Sequence, residues 1–568
     1  MPSHPTKSLH LGFFPNQQTS STDAGIFKSD VVQALLHARL RITMHDVAIV
    51  GYGPVGATLA GLLGKVGVDV LVFDKNHEIY PKPRAVGFDH DAMRIFQRIG
   101  ISEAISPFIE PFREEIYLGA DGQVLQHFKH MPKPYPLTWD PHFTCDQPGI
   151  ERELRNQIAG MPSVQVNLGY ELQFFEQHPG SVTLHVQDKN QQSEKYQAKY
   201  LVGCDGASSY IRNHLNIDLE SLEYDEPWLV VDMKVKDSCL AKLPVTNVQY
   251  CNPARPSTLI CCPGNHRRWE FMTLPGDSPD AVIKEDQLWE LMSPWIKPGE
   301  ADIWRAAAYR FHALVARKWQ KGSVFLAGDS AHQTPPFLGQ GMCQGIRDAG
   351  NLAWKLEQVV SGRAPESLLA TYEDERRPNV VATTQLAKEC GLMISERDFE
   401  KANIRDAEIA VATAGLGHTI IRQDLIPPFE VGFIESDAPM SGRIFPQPLV
   451  MASGPEEVLM DDLLSPRFHL VVLANLIDSH ELAELSTAAS KLDVQMVVVY
   501  EDRMPEKSGY SQILRIKETT SLIKDYLTAS SCIGAIVRPD HYVYCGIENV
   551  KNGLIALTLL AAKLRIAD

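Results

Sequence analysis

The 568-residue sequence predicts an α/β protein in which one sheet-and-helix domain is discontinuous, a β-rich domain is inserted into it, and a smaller α/β domain follows. Three observations predict this. A strand, glycine turn and helix at 47–66 is answered about 270 residues later by a second strand, turn and long helix at 322–360. Between about 224 and 310 the pattern is mostly β, with many prolines. From about 442 a fresh alternation begins, with apolar strands at "FHLVVLAN" and "VQMVVVYED" flanking a helix rich in Glu and Ala.

The elements follow in order. Residues 1–43 lack the basic and apolar regions of a secretory signal, and "SDVVQALLHARLRI" could form a short amphipathic helix; this leader is expected to be mobile. "VAIVGYGPVG" then reads as a buried strand, Val47–Val50, followed by Gly51, Gly53 and Gly56 and by Leu59, Leu62, Leu63 and Val66 at helical spacing. Strand, G-x-G-x-x-G turn and helix form the context in which that motif binds a dinucleotide. Gly51 permits the tight turn, Gly53 lets the backbone approach a pyrophosphate, and Gly56 lets the helix pack on the strand. The helix N-terminus, at Pro54 and Val55, faces the phosphates with its unpaired N–H groups. Asp74, eighteen residues beyond Gly56 and followed by Lys75, ends the next strand where an acid accepts a ribose hydroxyl. This motif alone does not separate NAD from FAD.

The second glycine segment bears on that choice. "GDSAH" at 328–332 follows the buried strand "SVFLA", so Asp329 beside Gly328 stands at the C-terminal end of a strand, where it can meet a sugar hydroxyl. "PPFLGQGM" then opens a long helix with Ile346, Ala349, Leu352, Ala353 and Leu356 on its apolar face. A second helix N-terminus is a second site of positive potential. A dehydrogenase has no evident use for it, whereas a reduced flavin carries negative charge near N1 and the C2 carbonyl. Gly339 and Gly341 would let backbone N–H groups reach that edge.

Taken together, "GYGPVG", "CDGASSYIR" and "GDSAHQTPPFLGQGMCQGIRDAGNLAWKL" resemble the single-component FAD-dependent aromatic hydroxylases of the p-hydroxybenzoate hydroxylase fold. "PRAVGFDHDAMRIFQRIGI", "NPARP", "RRWEFMTLPGD", "LLATYEDERRP" and "VRPDHYV" resemble the 3-(3-hydroxyphenyl)propionate hydroxylase branch. The resemblance runs from about Met44 to near the C-terminus. It implies a Rossmann-like FAD-binding domain at 44–223 and 311–390, with some β segments of the first part contributed to a substrate domain at 224–310. A helical connection would occupy 391–440 and a thioredoxin-like domain 441–568. Cys532 and Cys545 are not in C-x-x-C spacing, so that last domain is read as packing or oligomerising rather than redox-active.

By the same resemblance, Gly51, Gly53, Pro54, Val55, Gly56, Asp74 and Lys75 would hold the ADP half of FAD. Gly328 and Asp329 would bind the ribityl or ribose region, and Pro336, Gly339, Gln340, Gly341 and Met342 would line the flavin. Asp205 and Gly206 would serve both FAD and NAD(P)H, Arg212 completes their motif, and Arg84 and Gln147 sit where the family contacts FAD. The implied reaction is hydroxylation of a phenol by O2 through a C4a-hydroperoxyflavin, with NADH or NADPH as reductant. Pro335 and Pro336 would wall the flavin near C4a, and His332 would shape the loop.

A base or hydrogen-bond chain should meet the phenol, but the sequence does not name it. In related phenol hydroxylases an aspartate falls near Val86, which is apolar here. Asp89, His90, Tyr250 and His312 are the polar candidates. Gln249, Tyr250 and Phe271, from the β-rich insert, are read as the ring pocket, and Arg255 or Arg268 as a bidentate carboxylate ligand.

Composition excludes several alternatives. A net charge of −16 argues against a nucleic-acid surface, and no apolar run reaches the ~20 residues of a membrane span. Ten scattered cysteines without metal-ligand spacing read as reduced thiols of a cytoplasmic protein with no metal. A homodimer is the default oligomer. Two other functions fit the same motifs: a monooxygenase of this fold acting on a larger polyketide-like phenol, and a flavin-binding sensor without turnover.

Overall fold

The structure, a computed structural model, describes residues 43–112, 114–129, 131–277, 283–413, 419–421, 426–452, 454–501 and 513–564. The expected leader and its helix lie outside these residues but for position 43. The strand Met44–Val50 pairs in parallel with Val70–Asp74, Val47 opposite Val70. On its other side lies Ser193–Gly203, which in turn pairs in parallel with Val324–Leu326. A strand from the second glycine segment therefore completes the sheet begun by the first. Val47, Ala48 and Ile49, Val70–Phe73 and Val324–Leu326 are buried, as expected for parallel strands covered on both faces.

Helices Pro54–Lys65 and Gly341–Val360 cover this sheet. They pack closely because Gly345 faces Val55: a Cβ at Gly345 would lie 2.4 Å from Val55 Cγ2. The long helix Ser367–Ile394 lies against the second of them and inserts buried Leu369, Tyr372 and Val380 into the same core.

The second sheet has nine strands. Near one edge it has a pair of long antiparallel strands, Leu219–Val235 and Ala301–Ala316, followed in order by His266–Met272, Ser257–Cys261, Asn247–Tyr250 and Glu115–Leu118. Strands 115–118, 124–129 and 419–421 join it from outside the 224–310 insert. One face carries Leu229, Val231, Leu259, Trp269 and Phe271 and is closed by helix Glu285–Met292 through Leu288 and Met292. The opposite face looks towards the glycine segments of the first sheet.

The C-terminal domain is a seven-stranded sheet in which His469–Leu473, Gln495–Tyr500 and Ile513–Glu518 run parallel, with Gly534–Val537 antiparallel at the side of the first. It is the thioredoxin-like α/β unit. Buried polar contacts join it to the rest. Arg94 Nε and Nη2 donate to Asp461 at 2.6 and 2.9 Å, and Arg94 Nη1 donates to the Phe445 carbonyl. Burial opposes ionisation of Asp461, but Arg94 and His541 hold its carboxyl down at about 2.

Candidate active site

The glycine segments and the open face of the nine-stranded sheet enclose a cleft of about 800 Å³. That volume lies in the upper part of the range for small-molecule and cofactor sites.

The nucleotide side is built from two helix starts. Helix Pro54–Lys65 begins after Gly53, and helix Gly341–Val360 begins after Gln340; neither N-terminus has a side-chain cap. Gly53, Pro54 and Val55 line the cleft from the first, Gly339, Gly341 and Met342 from the second. A Cβ at Gly53 or Gly341 would meet nothing within 4 Å, so both glycines border empty space. Gly51 is different: its φ of +101° is left-handed, and a Cβ there would sit 2.2 Å from the Cys204 carbonyl oxygen. Gly56 is equally constrained, 1.9 Å from the Gly51 oxygen. The turn is held by the fold at Gly51 and Gly56 and left open for a ligand at Gly53.

Polar groups lie in and beside this space: Arg84, Gln147 and Asp329 line it, whereas Asp74, Lys75 and Asp205 do not. Asp74 accepts from the Tyr52 and Asn76 backbone N–H groups, at 2.7 and 2.8 Å, and Lys75 is exposed beside it. Asp205 accepts from Ile211 N through Oδ2, while its buried Oδ1 has no hydrogen-bond partner. Gly206 lines the cleft at φ +82°. Gln147 Oε1 accepts from the N–H groups of Arg84 and Ala85, fixing the loop that carries Arg84 into the cleft wall. Asp329 is exposed at the open cleft that it lines, where the surrounding protein still desolvates its carboxyl enough to push it up. Two uncapped helix N-termini, two glycines facing empty space and an orphaned carboxylate oxygen fit a dinucleotide with a second electron-rich edge. The residues present therefore fit FAD.

Behind this wall, charges are paired. His332 Nε2 bonds Asp348 Oδ2 at 2.8 Å, Gly328 N donates to the same oxygen, and Arg376 Nε donates to Oδ1. Burial opposes ionisation of Asp348, but His332 and Arg376 overcome it and hold its carboxyl below the usual range. Gln340 turns its side chain out of the cleft: its Nε2 donates to Asp89, and its Oε1 accepts from Arg347. Arg347 also bonds Asp89 and Asp91. Of the flavin-loop residues expected to line the cofactor, Gln340 is thus the one whose side chain points elsewhere.

The opposite wall is the polar face of the sheet. Asn247, Gln249, Thr258, Arg268 and Glu270 line the cleft, with Glu115 beside Gln249. Thr258 donates to Gln249 Oε1, and Gln249 Nε2 donates to Glu115 Oε1 at 2.8 Å. Arg268 donates to Asp232 through Nε and Nη2, to the Pro83 carbonyl also through Nη2, and to the Arg84 carbonyl through Nη1. Phe112, Phe311 and Phe337 supply apolar wall, with Phe311 and Phe337 packed around Trp228 at ring distances of 5.6 and 5.4 Å.

Several expected residues lie elsewhere. Tyr250 and Phe271 belong to the far face of the sheet, where Tyr250 accepts from Trp295 Nε1 and Phe271 packs with Trp269 and Leu288. The cause is strand parity, because alternate residues point to opposite faces. Arg255 is paired with Asp277 at 2.8 Å and does not line the cleft. His90, although buried, lines a separate cavity of about 410 Å³ together with Gln340 and Arg347. Pro335 is not among the cleft-lining residues, whereas Thr334 and Pro336 are. His312 does line the cleft, at 3.1 Å from Asp225.

Thr258 and Glu270 were missed from sequence, and Arg268 was only an alternative to Arg255. The signal was present: in "RRWEFM", Arg268 and Glu270 alternate with Trp269 and Phe271, so the polar pair shares one face. Among the described residues no helix is long and apolar enough to cross a membrane, and no cluster of His, Cys, Asp or Glu could hold a metal ion.

Comparison with known proteins agrees with this geometry. The model of the FAD binding domain matches residues 44–387, and that of the HcaD C-terminal domain matches 442–557. The chain is 32% identical over 506 residues to a probable NADH-specific resorcinol 4-hydroxylase of Rhodococcus jostii (strain RHA1), covering 88% of this chain and 91% of that protein. It is 34% identical over 517 residues to 3-(3-hydroxy-phenyl)propionate/3-hydroxycinnamic acid hydroxylase 2 of Burkholderia vietnamiensis (strain G4 / LMG 22486), covering 88% and 93%. Among solved structures, the flavin-dependent monooxygenase PieE, in complex with FAD and substrate, superposes with a TM-score of 0.78 at 20% identity, over 92% of this chain and all of that one. Aklavinone-11 hydroxylase, with FAD and aklavinone, gives 0.72 at 21% identity, over 92% and 98%.

Proposed function

The chain belongs to the FAD binding domain family and is a single-component FAD-dependent aromatic hydroxylase, and from that premise we propose the substrate and the residue roles. The substrate is a small phenol with a polar side chain, of the 3-(3-hydroxyphenyl)propionate kind, and the reductant is NADH. The names of the two relatives above support this choice. The observation that carries it is the cleft itself, with uncapped helix N-termini on one wall and a polar sheet face flanked by aromatic rings on the other.

When bound, FAD supplies the redox and oxygen chemistry of the reaction. The protein's own residues bind, orient and exclude water. Gly53–Val55 and Asp74 hold the ADP half, Asp205 and Asp329 hold sugar hydroxyls, and the N–H groups at Gly341 and Met342 meet the electron-rich edge of the ring system. Arg84 has no acidic partner among the described residues and is free to meet an anion. Phe112, Phe311 and Phe337 confine the phenol ring and keep water from it, while Gln249 and Thr258 border its polar groups.

The test is NADH consumption by the purified yellow protein with and without 3-(3-hydroxyphenyl)propionate or resorcinol, with product mass recorded. Stimulation with a product heavier by one oxygen is expected. Stimulation without product means the ring binds but is misplaced, so the substrate assignment fails. No stimulation by any phenol removes the reading.

A further inference from the structure

Three carboxylates line the cleft: Asp329 on the nucleotide side, and Glu115 and Glu270 on the sheet face. Glu115 already accepts a hydrogen bond from Gln249. Glu270 differs from both. It is 4% exposed, yet among the described residues no donor reaches its carboxylate and no Lys, Arg or His nitrogen lies within salt-bridge distance. The neighbouring groups explain why. Thr258 stands directly across the strand pair from Glu270, but its only hydroxyl hydrogen is given to Gln249. It offers Glu270 a lone pair and no proton. Arg268, two residues away on the same face, is turned to Asp232 and to the carbonyls of the 83–84 loop, and Arg305 donates to the Pro83 carbonyl. A buried carboxylate without a donor is costly unless a ligand supplies one.

We propose that Glu270 is the catalytic base of this hydroxylase, accepting the proton of the substrate's phenolic hydroxyl across the cleft. The assignment rests on the functional reading above. The phenol O–H bond breaks and a carboxyl O–H bond forms, leaving the oxygen's electron pair on the ring, where it raises electron density ortho and para to that oxygen. After the ring has been oxygenated the same proton returns to the product's oxygen, so Glu270 ends the cycle ionised and the overall stoichiometry is unchanged. Thr258 and Gln249 are positioning residues, because they keep competing hydrogens away from the carboxylate.

The electrostatics suit this role. Burial pushes the Glu270 carboxyl up to about 7, with Arg268 and Arg305 lowering it and Asp232 raising it. A base is most effective when its pKa lies near the working pH. Glu115, His142 and Tyr309 open on the same cleft and belong in any account of its titration.

The experiment compares wild type with Glu270→Gln and Glu270→Asp as FAD-loaded enzymes. Turnover of 3-(3-hydroxyphenyl)propionate is followed against pH, and a ring-fluorinated, more acidic analogue is run in parallel. In wild type, kcat/KM rises with pH through about 7. In Glu270→Gln that limb disappears and kcat falls by about 10²-fold or more, with KM little changed. Glu270→Asp retains the limb, and the acidic analogue recovers most of the loss in Glu270→Gln because it needs less help to ionise. The pH dependence of phenol binding gives a readout apart from turnover: a break near 7 in wild type that is absent from Glu270→Gln. An unchanged limb and kcat in Glu270→Gln, or equal slowing of both substrates, overturns the base assignment alone. Wild type that neither binds nor hydroxylates any phenol overturns the functional reading, and Glu270's role with it.

Discussion

Arg538 of the C-terminal domain donates through Nη1 and Nη2 to both carboxylate oxygens of Glu375 on helix Ser367–Ile394, at 2.9 and 2.8 Å, with neither side chain exposed. Lys355 of helix Gly341–Val360 donates to the same carboxylate at 2.8 Å. Three segments that meet only in the folded chain thus share one buried charge cluster. Arg538→Met leaves Glu375 short of a partner and should cost about 3–5 kcal/mol in urea unfolding. Glu375→Gln combined with Arg538→Met should cost less than the two single changes together.

The same cluster sets an acid limit. Burial works against the charge on Glu375, but Arg538 and Lys355 overcome it and hold the carboxyl down at about 2. A depressed carboxylate stabilises the fold above its ordinary value of 4.5, and that contribution is lost as pH falls through about 2. Unfolding midpoints measured between pH 5 and 2 should fall less steeply in Glu375→Gln than in wild type.

Glycines that face empty space and glycines that face backbone should respond differently. Gly53→Ala and Gly341→Ala should fold normally and weaken FAD at least tenfold, about 1.4 kcal/mol, read from flavin fluorescence on dilution. Gly51→Ala meets the Cys204 carbonyl in a left-handed conformation and should give little folded protein with or without flavin.

Asp89→Asn removes the charge that Arg347 and Gln340 both contact behind the flavin loop. Stability should drop by about 3 kcal/mol. The loosened loop should also release more H2O2 per NADH oxidised, measured as the ratio of catechol formed to NADH consumed.

Glu270→Gln carries a stability signature with a definite sign. The folded-state carboxyl is raised to about 7 from 4.5, so the folded state binds more protons than the unfolded chain between those values. Wild-type stability therefore falls as pH rises through this window, by up to about 3 kcal/mol, and stays low above it. Glu270→Gln should be the more stable protein at pH 8 and lose that advantage near pH 4.5.

Gln249 and Tyr250 are adjacent in sequence and opposite in effect. Gln249→Leu frees the Thr258 hydroxyl to donate to Glu270, so the acid limb of kcat/KM should move to lower pH. Tyr250→Phe loses only the bond to Trp295 on the far face and should cost about 1 kcal/mol of stability while leaving KM for the phenol unchanged.

The nucleotide side was legible because its chemistry is local. Gly51, Gly53, Gly56 and Asp74 belong to one strand–turn–helix unit and Gly339–Met342 to one helix start, so motif and spacing pointed to two glycine turns, and Gly53, Gly339, Gly341 and Met342 do line the cleft. The phenol side was not, because its residues come from four strands that meet only in the sheet. Gln249 does line the cleft, but Tyr250 and Phe271 were chosen for being aromatic, and parity sends both to the back. Arg255 and Arg268 are indistinguishable as residue types; their partners, Asp277 and Asp232, separate them. His90 stands near Gln340 in space but opens into the neighbouring cavity, a distinction that sequence does not resolve.

Completion of the first sheet by Val324–Leu326 fixes when the cofactor site can exist during synthesis. Until the ribosome has released the chain through about Met342, the nascent protein holds Gly53 and Asp74 but neither Asp329 nor the Gly339–Met342 turn. At roughly 5–20 residues per second this interval lasts on the order of tens of seconds. Flavin can therefore engage both halves of its site only on a chain whose first sheet is already being completed.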